Sequence, residues 1–197
     1  MRLSLLRLSR VAALATLLAA LSAGAAPIEL AGVKIDDHLD LQGTPLVLNG
    51  AGIRYKTIIK VYTAGLYVPK KAGTPDELLD APGPKRMTIT MLRDIDANEL
   101  GKLFTRGVED NSPRTAMSQL IPGLLRMSQI FSERKNLHAG DSFTIDWLPA
   151  RGTVISVNGL AQGEPIKEQA FFNALMRIWL GPSPADWKLK DDLLGKR

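Results

Sequence analysis

The stretch Gly50-Ala-Gly-Ile-Arg-Tyr-Lys-Thr-Ile-Ile-Lys-Val-Tyr-Thr-Ala-Gly-Leu-Tyr-Val-Pro69 decides the fold. It is the longest run of strand-forming residues in the chain, and it holds all three tyrosines, Tyr55, Tyr62 and Tyr67, together with Arg54. Between residues 58 and 67, one alternating set is Ile59, Val61, Thr63, Gly65 and Tyr67; the other is Ile58, Lys60, Tyr62, Ala64 and Leu66. Side chains alternate faces along a strand, and both sets are largely apolar. Both faces are therefore expected to meet protein, which is the pattern of a central strand.

On the N-terminal side of this stretch, residues 28–48 break into short apolar pieces separated by Gly32, Gly43-Thr-Pro45 and Asn49-Gly50, which predicts short strands and tight turns. On its C-terminal side, Thr74-Pro-Asp-Glu reads as a helix start, with Thr74 as the cap and Pro75 at the first helical position. Residues 85–92 alternate as a strand. Asp96 and Glu99 form a capping pattern ahead of Leu100, Leu103, Phe104 and Val108, which share a helical face. A second helix is predicted over residues 115–132, with Met117, Leu120, Ile121, Leu124, Leu125 and Met127 mostly inward and a kink at Pro122.

Residues 142–148 and 152–157 read as strands, and Asn158-Gly159 is a strong two-residue hairpin signal leading into Leu160. A further helix is expected from Pro165, with Ala170, Phe171, Leu175, Ile178 and Trp179 on its apolar face, and a last helical turn or two falls within residues 184–194. Strands, then adjacent helices, then more strands and a terminal helix make an α+β fold, an antiparallel sheet with helices packed on one face.

Residues 1–25 read as a signal peptide. Arg2, Arg7 and Arg10 supply a basic start, an apolar run follows, and Ala23-Gly-Ala25 offers the small residues of a cleavage site. The apolar run is shorter than the roughly 20 residues that span a bilayer, so no stable membrane anchor is expected. The resulting placement is periplasmic or secreted, and residues 26–197 remain as one domain. The chain has no cysteine, so its stability rests on its core without disulfides. Cleavage lowers the 25 basic residues to 22 against 20 acidic ones, and no basic stripe with interleaved aromatics occurs, so a nucleic acid is not an expected partner.

The chain carries no Gly-rich phosphate loop, no G-x-S-x-G elbow and no H-E-x-x-H, and its two histidines, His38 and His138, stand apart in loop-like segments. Neither a metal nor a cofactor is implied. What remains is Arg54 among tyrosines in a strand that reads as buried. A guanidinium taken out of water needs a partner, and its planar fork matches a carboxylate. Tyr62 can add an O–H donor to the same oxygens. The two are an even number of residues apart, which favours one sheet face unless a turn near Lys56-Thr57 intervenes, and Tyr67 then points to the other face. Alternatively, Arg54 pairs with a core acid such as Asp94 or Asp146, and Tyr62 is a packed aromatic.

Gly52-Ile-Arg54, followed by Lys60-Val-Tyr62-Thr-Ala-Gly-Leu-Tyr67, resembles the first core hairpin of the chalcone isomerase-like family. Phe172-Asn-Ala-Leu-Met-Arg-Ile-Trp-Leu-Gly181-Pro-Ser-Pro and Leu189-Lys-Asp-Asp-Leu-Leu-Gly195 are similar to the ending of its bacterial members. The resemblance covers residues 28–194 and implies an open-faced β-sandwich with a ligand cleft between sheet and helices. It also implies that Arg54 binds the acidic group of a ligand and that Tyr62 assists as a hydroxyl residue. Isomerases of the family tend to carry threonine at the position of Tyr62 and place a tyrosine and an asparagine on the helix that here spans residues 111–132. That span has no tyrosine, and Gln119 is only a loose substitute for the asparagine.

The favoured reading is thus a non-catalytic binder of a small acidic amphiphile such as a fatty acid, with Arg54 and Tyr62 at its site. An intramolecular lyase or isomerase sharing Arg54 is the first alternative. A periplasmic protein-interaction module, in which Arg54 is dispensable, is the second.

Overall fold

The quoted stretch folds back on itself. In the computed structural model, which describes residues 27–196, it forms most of a hairpin of β4 (Thr44–Lys56) and β5 (Ile59–Val68), closed by the two-residue turn Thr57-Ile58. The expected signal peptide lies outside the described residues. Ile58, read as part of the strand, is the turn residue and stands in solvent. From Tyr62 to Val68 every residue of β5 is buried, so the two-faced burial expected of residues 58–67 holds from Tyr62 onward, whereas Ile59 and Lys60 beside the turn are exposed. Its neighbours are β4 on one side and β6 (Lys85–Met91) on the other.

The sheet continues from β6 to β9 (Ser142–Leu148), β10 (Gly152–Val157) and β11 (Leu160–Ala161), and ends beyond β4 at β3 (His38–Leu41). All pairings in these seven strands are antiparallel. Two small ribbons flank it: β1 (Ile28–Leu30) with β2 (Val33–Ile35), and β7 (Ile95–Asp96) with β8 (Asn136–Leu137). Asn158 and Gly159 close the β10–β11 hairpin with φ of 49° and 78°, the left-handed backbone that a short hairpin turn requires and that these residues adopt at little cost.

The helices are α1 (Pro75–Asp80), α2 (Ala97–Asp110), α3 (Met117–Ser132), α4 (Gln169–Leu180) and α5 (Trp187–Leu193). Thr74 accepts from Glu77 N at 3.3 Å and Asp96 accepts from Glu99 N at 2.9 Å, as their capping patterns predicted. All five helices send side chains into one apolar cluster with Ala64, Leu66, Met87, Ile89, Phe143 and Ile145 of the sheet. The opposite face carries a smaller cluster of Ile35, Leu41, Leu46, Leu48, Tyr67 and Leu148. The α+β architecture with helices on one face is therefore the one expected.

Three local expectations are corrected. Helix α4 starts at Gln169 rather than at Pro165, because Ile166 exchanges backbone bonds with Thr153 of β10 (2.7 and 2.9 Å) and holds this segment extended. Ala170 is consequently exposed in the first turn. On α3, Ile121 and Leu125 are exposed, because they lie about 100° and 140° round the helix from Leu120, outside the buried stripe of Leu120, Leu124, Met127 and Phe131. Leu103 of α2 is exposed as well.

Helix α5 lies so close to β4 that side chains are excluded. A Cβ on Gly50 would stand 2.0 Å from the Asp192 carbonyl oxygen, and one on Gly52 would stand 2.6 Å from Asp192 Oδ2. Asn49, buried beside them, donates to the Leu193 carbonyl at 2.7 Å and accepts from Ala72 N at 2.8 Å, which ties the end of α5 to the sheet. Gly50→Ala is expected to lower unfolding stability by about 1–3 kcal/mol or more, because backbone rather than a flexible tip blocks the new methyl. Gly73→Ala, with nothing within 4 Å of its Cβ, should stay within about 0.5 kcal/mol of the parent in the same urea unfolding measurement.

Candidate functional site

Arg54 and Tyr62 face each other across the hairpin as register partners. They share a face because they are cross-strand neighbours. The turn does intervene between them, and the irregularity at Arg54/Tyr55, with Val61 as the extra residue, restores the alignment. Their face is the one covered by the helices, since Tyr62 belongs to the larger cluster. Tyr67 lies on the opposite face, as expected, where its hydroxyl donates to the Asp36 carbonyl at 2.9 Å and burial pushes its pKa up to about 12.

The carboxylate that Arg54 meets is neither of those anticipated. Asp146 holds Arg86 through two bonds of 2.7 and 2.6 Å, and Asp94 sits at the surface, accepting from Ala139 N at 2.9 Å. The partner of Arg54 is Asp186, with Nη1 3.6 Å from Oδ2 and side-chain exposures of 24% and 13%. Asp186 has stronger commitments than this one. Its Oδ2 accepts from Tyr55 N at 3.0 Å, and its Oδ1 caps α5 by accepting from Lys188 N at 2.8 Å and Leu189 N at 3.2 Å. An aspartate three residues ahead of Leu189 is a readable capping signal, masked here by Pro184, which suggests an earlier start.

Tyr62 is buried, and its hydroxyl oxygen accepts from Trp179 Nε1 at 2.9 Å. Desolvation pushes its pKa up to about 12 against the lowering pull of the Trp179 bond and of the Arg54 charge. Trp179 in turn meets Phe104 edge to face at 5.6 Å, and Phe104 contacts Phe131 and Phe143 at 5.4 and 5.6 Å. The space between this part of the sheet and the helices is thus filled with rings. Among the described residues, grooves open elsewhere, one of about 680 Å³ between Pro122, Arg126, Arg151 and residues 164–168 and another of about 430 Å³ between α2 and α3. Neither is lined by Arg54 or Tyr62. Gln119 is exposed on α3 and takes no part in the core. Among the described residues no cluster of His, Cys, Asp and Glu has the grouping of a metal site.

A family model described as chalcone isomerase-like matches residues 26–195, nearly the whole chain. The chain belongs to the chalcone isomerase-like family. No curated protein matches it by sequence. Among solved structures, this chalcone isomerase-like protein is similar to a fatty-acid binding protein of Arabidopsis thaliana, with a TM-score of 0.65 and 14% identity over 84% of this chain and 93% of that one. At that identity the likeness establishes a common fold, the curled antiparallel sheet with its helices.

Tyr62→Phe leaves the Trp179 N–H buried without an acceptor and is expected to cost about 1–3 kcal/mol at neutral pH. The folded-state pKa of Tyr62 lies near 12 against 10.0 for a free tyrosine, so the unfolded chain loses this proton first and the parent loses stability as pH rises from 10 to 12. For Tyr62 alone that loss approaches about 3 kcal/mol. In urea unfolding across this range, the gap between parent and Tyr62→Phe should shrink; a constant gap would contradict the assignment.

Proposed function

We propose that this chalcone isomerase-like protein is a non-catalytic binder of a small acidic amphiphile, such as a fatty acid, in which Arg54 holds the acid group and Tyr62 assists. The observation that carries the reading is the state of Arg54. Its guanidinium is mostly withdrawn from water, lies beside a buried tyrosine hydroxyl, and meets Asp186 at a distance too long for a charge-assisted hydrogen bond. Asp186 keeps its three backbone bonds whether or not Arg54 turns to another acid. A ligand carboxylate therefore competes with a weak contact while the cap of α5 stays in place.

The Arabidopsis protein that shares this fold is a fatty-acid binding protein, which supports the class of ligand. The missing tyrosine on residues 111–132 and the outward position of Gln119 weigh against ring-closing chemistry, because that chemistry uses a tyrosine hydroxyl on this helix to hold a water against a developing enolate. Because Phe104 and Trp179 occupy the space beside Tyr62, an acyl chain entering from the helix side displaces rings, so binding is coupled to a shift of α2 or α4. Export rests on the basic and apolar character of residues 1–25, and the start of the family match at residue 26 supports that boundary. Among the described residues no helix is long and apolar enough to cross a membrane.

Native mass spectrometry of the protein purified from its own cells tests this reading. An acidic lipid should accompany the parent and be absent from Arg54→Ala. In titrations with a fatty acid, Arg54→Ala is expected to weaken binding by about 10- to 100-fold, the worth of a charge-assisted bond. Asp186→Asn should tighten it because the competing charge is gone; the one amide oxygen of asparagine can keep the α5 cap, while the Tyr55 N–H loses its acceptor and stability falls. A parent that arrives empty and takes up no fatty acid, or an Arg54→Ala variant that binds as well as the parent, overturns the proposal.

A further inference from the structure

We propose that the tip of the β4–β5 hairpin and the start of α5 together form a docking surface for an anionic lipid bilayer. Lys56, Thr57, Ile58, Ile59 and Lys60 are all exposed, with Ile58 86% and Ile59 47% accessible. Trp187, at the first position of α5, is 62% accessible. The two segments are held side by side. Asp186, the cap of α5, accepts the Tyr55 N–H, and Lys188 Nζ stands 5.5 Å from the centre of the Tyr55 ring. Lys190 Nζ lies 5.0 Å from the centre of the Trp187 ring.

The composition of the turn is not that of a turn built for stability. The same chain closes β10–β11 with Asn158-Gly159, residues that accept a left-handed backbone readily. At the β4–β5 tip, Thr57 takes φ of 60°, an unfavourable conformation for a β-branched residue, and an isoleucine follows with nearly all its apolar surface in water. Such strain and exposure are retained where the segment meets something else.

Charge identifies the partner. Lys56, Lys60 and Lys188, all exposed, lie on the same two segments as Ile58, Ile59 and Trp187, while Lys190 Nζ, over the Trp187 ring, donates to the Gly181 carbonyl at 2.7 Å; the acid between the two segments, Asp186, is nearly buried and bound to three backbone N–H groups. Farther along α5, Asp191 pairs with Lys196 at 3.9 Å and Asp192 lies over Gly52. Protein interfaces are depleted in lysine, whereas exposed aliphatic residues and a tryptophan accompanied by lysines match the level of the headgroups, with apolar tips in the acyl boundary and ammonium groups at the phosphates. The docking does not depend on a ligand at Arg54, so its failure and that of the binding reading are separable.

The test uses the whole chain with vesicles of phosphatidylglycerol and phosphatidylcholine, and with phosphatidylcholine alone. Trp147 and Trp179 are buried, so a change in tryptophan emission on mixing reports Trp187. Phosphatidylglycerol vesicles should shift that emission to the blue, salt should reverse the shift, and Trp187→Phe should abolish it. Ile58→Asn/Ile59→Thr and Lys56→Glu/Lys60→Glu should each weaken partitioning by about tenfold or more with an unchanged circular dichroism spectrum. Parent and variants share residues 1–26, so the difference between them belongs to the tip. An emission unaffected by phosphatidylglycerol vesicles, or equal partitioning of the parent and both double variants, overturns the proposal.

Discussion

The carboxylate of Asp186 joins two segments of this protein that are far apart in sequence, the start of α5 and the end of β4. It caps α5, it accepts a backbone N–H of β4, and it sets the field at Arg54. A carboxylate at a helix N-terminus is stabilised by the unpaired N–H groups and by the helix dipole, so its position is held by α5 itself and not by the arginine. This ordering matters for function. Arg54 is attracted to a charge that does not need it, and the guanidinium remains able to serve another acid without loss of the cap.

The contact also explains the approach of α5 to the sheet. With its first turn tied to Tyr55 and its last turn tied to Asn49, the helix is drawn across residues whose side chains must be absent, and Gly50 and Gly52 supply that absence. The pair gains close backbone packing at the cost of glycine flexibility in a strand, which weakens a strand with nothing to hold it. Here α5 holds it. The same even-numbered face then carries Arg54, so the glycines and the arginine form one continuous strip beneath the helix.

Much of the fold was legible in local chemistry. Thr74 and Asp96 read as caps because a short side-chain oxygen satisfies an orphan N–H two or three residues on, and the structure places both bonds. Asn158-Gly159 read as a two-residue turn because few residues tolerate its backbone. The hairpin was legible in part: the resemblance implied one and a turn near Lys56-Thr57 was allowed for, yet neither Thr57 nor Ile58 is a turn former and Ile58 continues the apolar alternation of the strand. Ile121, Leu125 and Leu103 were misplaced for a related reason: a run dense in apolar residues does not reveal which of several overlapping stripes faces the sheet. Arg54 and Tyr62 stood out as residue types, yet their alignment depends on an irregularity in the ladder that no spacing rule anticipates.

By itself the sequence determined the class of fold, the division into strands and helices, and the scarcity of catalytic groups, because these follow from periodicity, caps and composition within windows of a few residues. Only the tertiary structure decided who partners whom. Asp186 rather than Asp94 or Asp146 meets Arg54, Trp179 claims the hydroxyl of Tyr62 from 117 residues away, and aromatic rings fill the space where a cleft was expected. Those outcomes depend on which elements are brought within a few ångströms of one another. Hydrogen bonds and ion pairs are short-ranged, so a chain of 197 residues contains many chemically equivalent acids and aromatics, and packing alone selects among them.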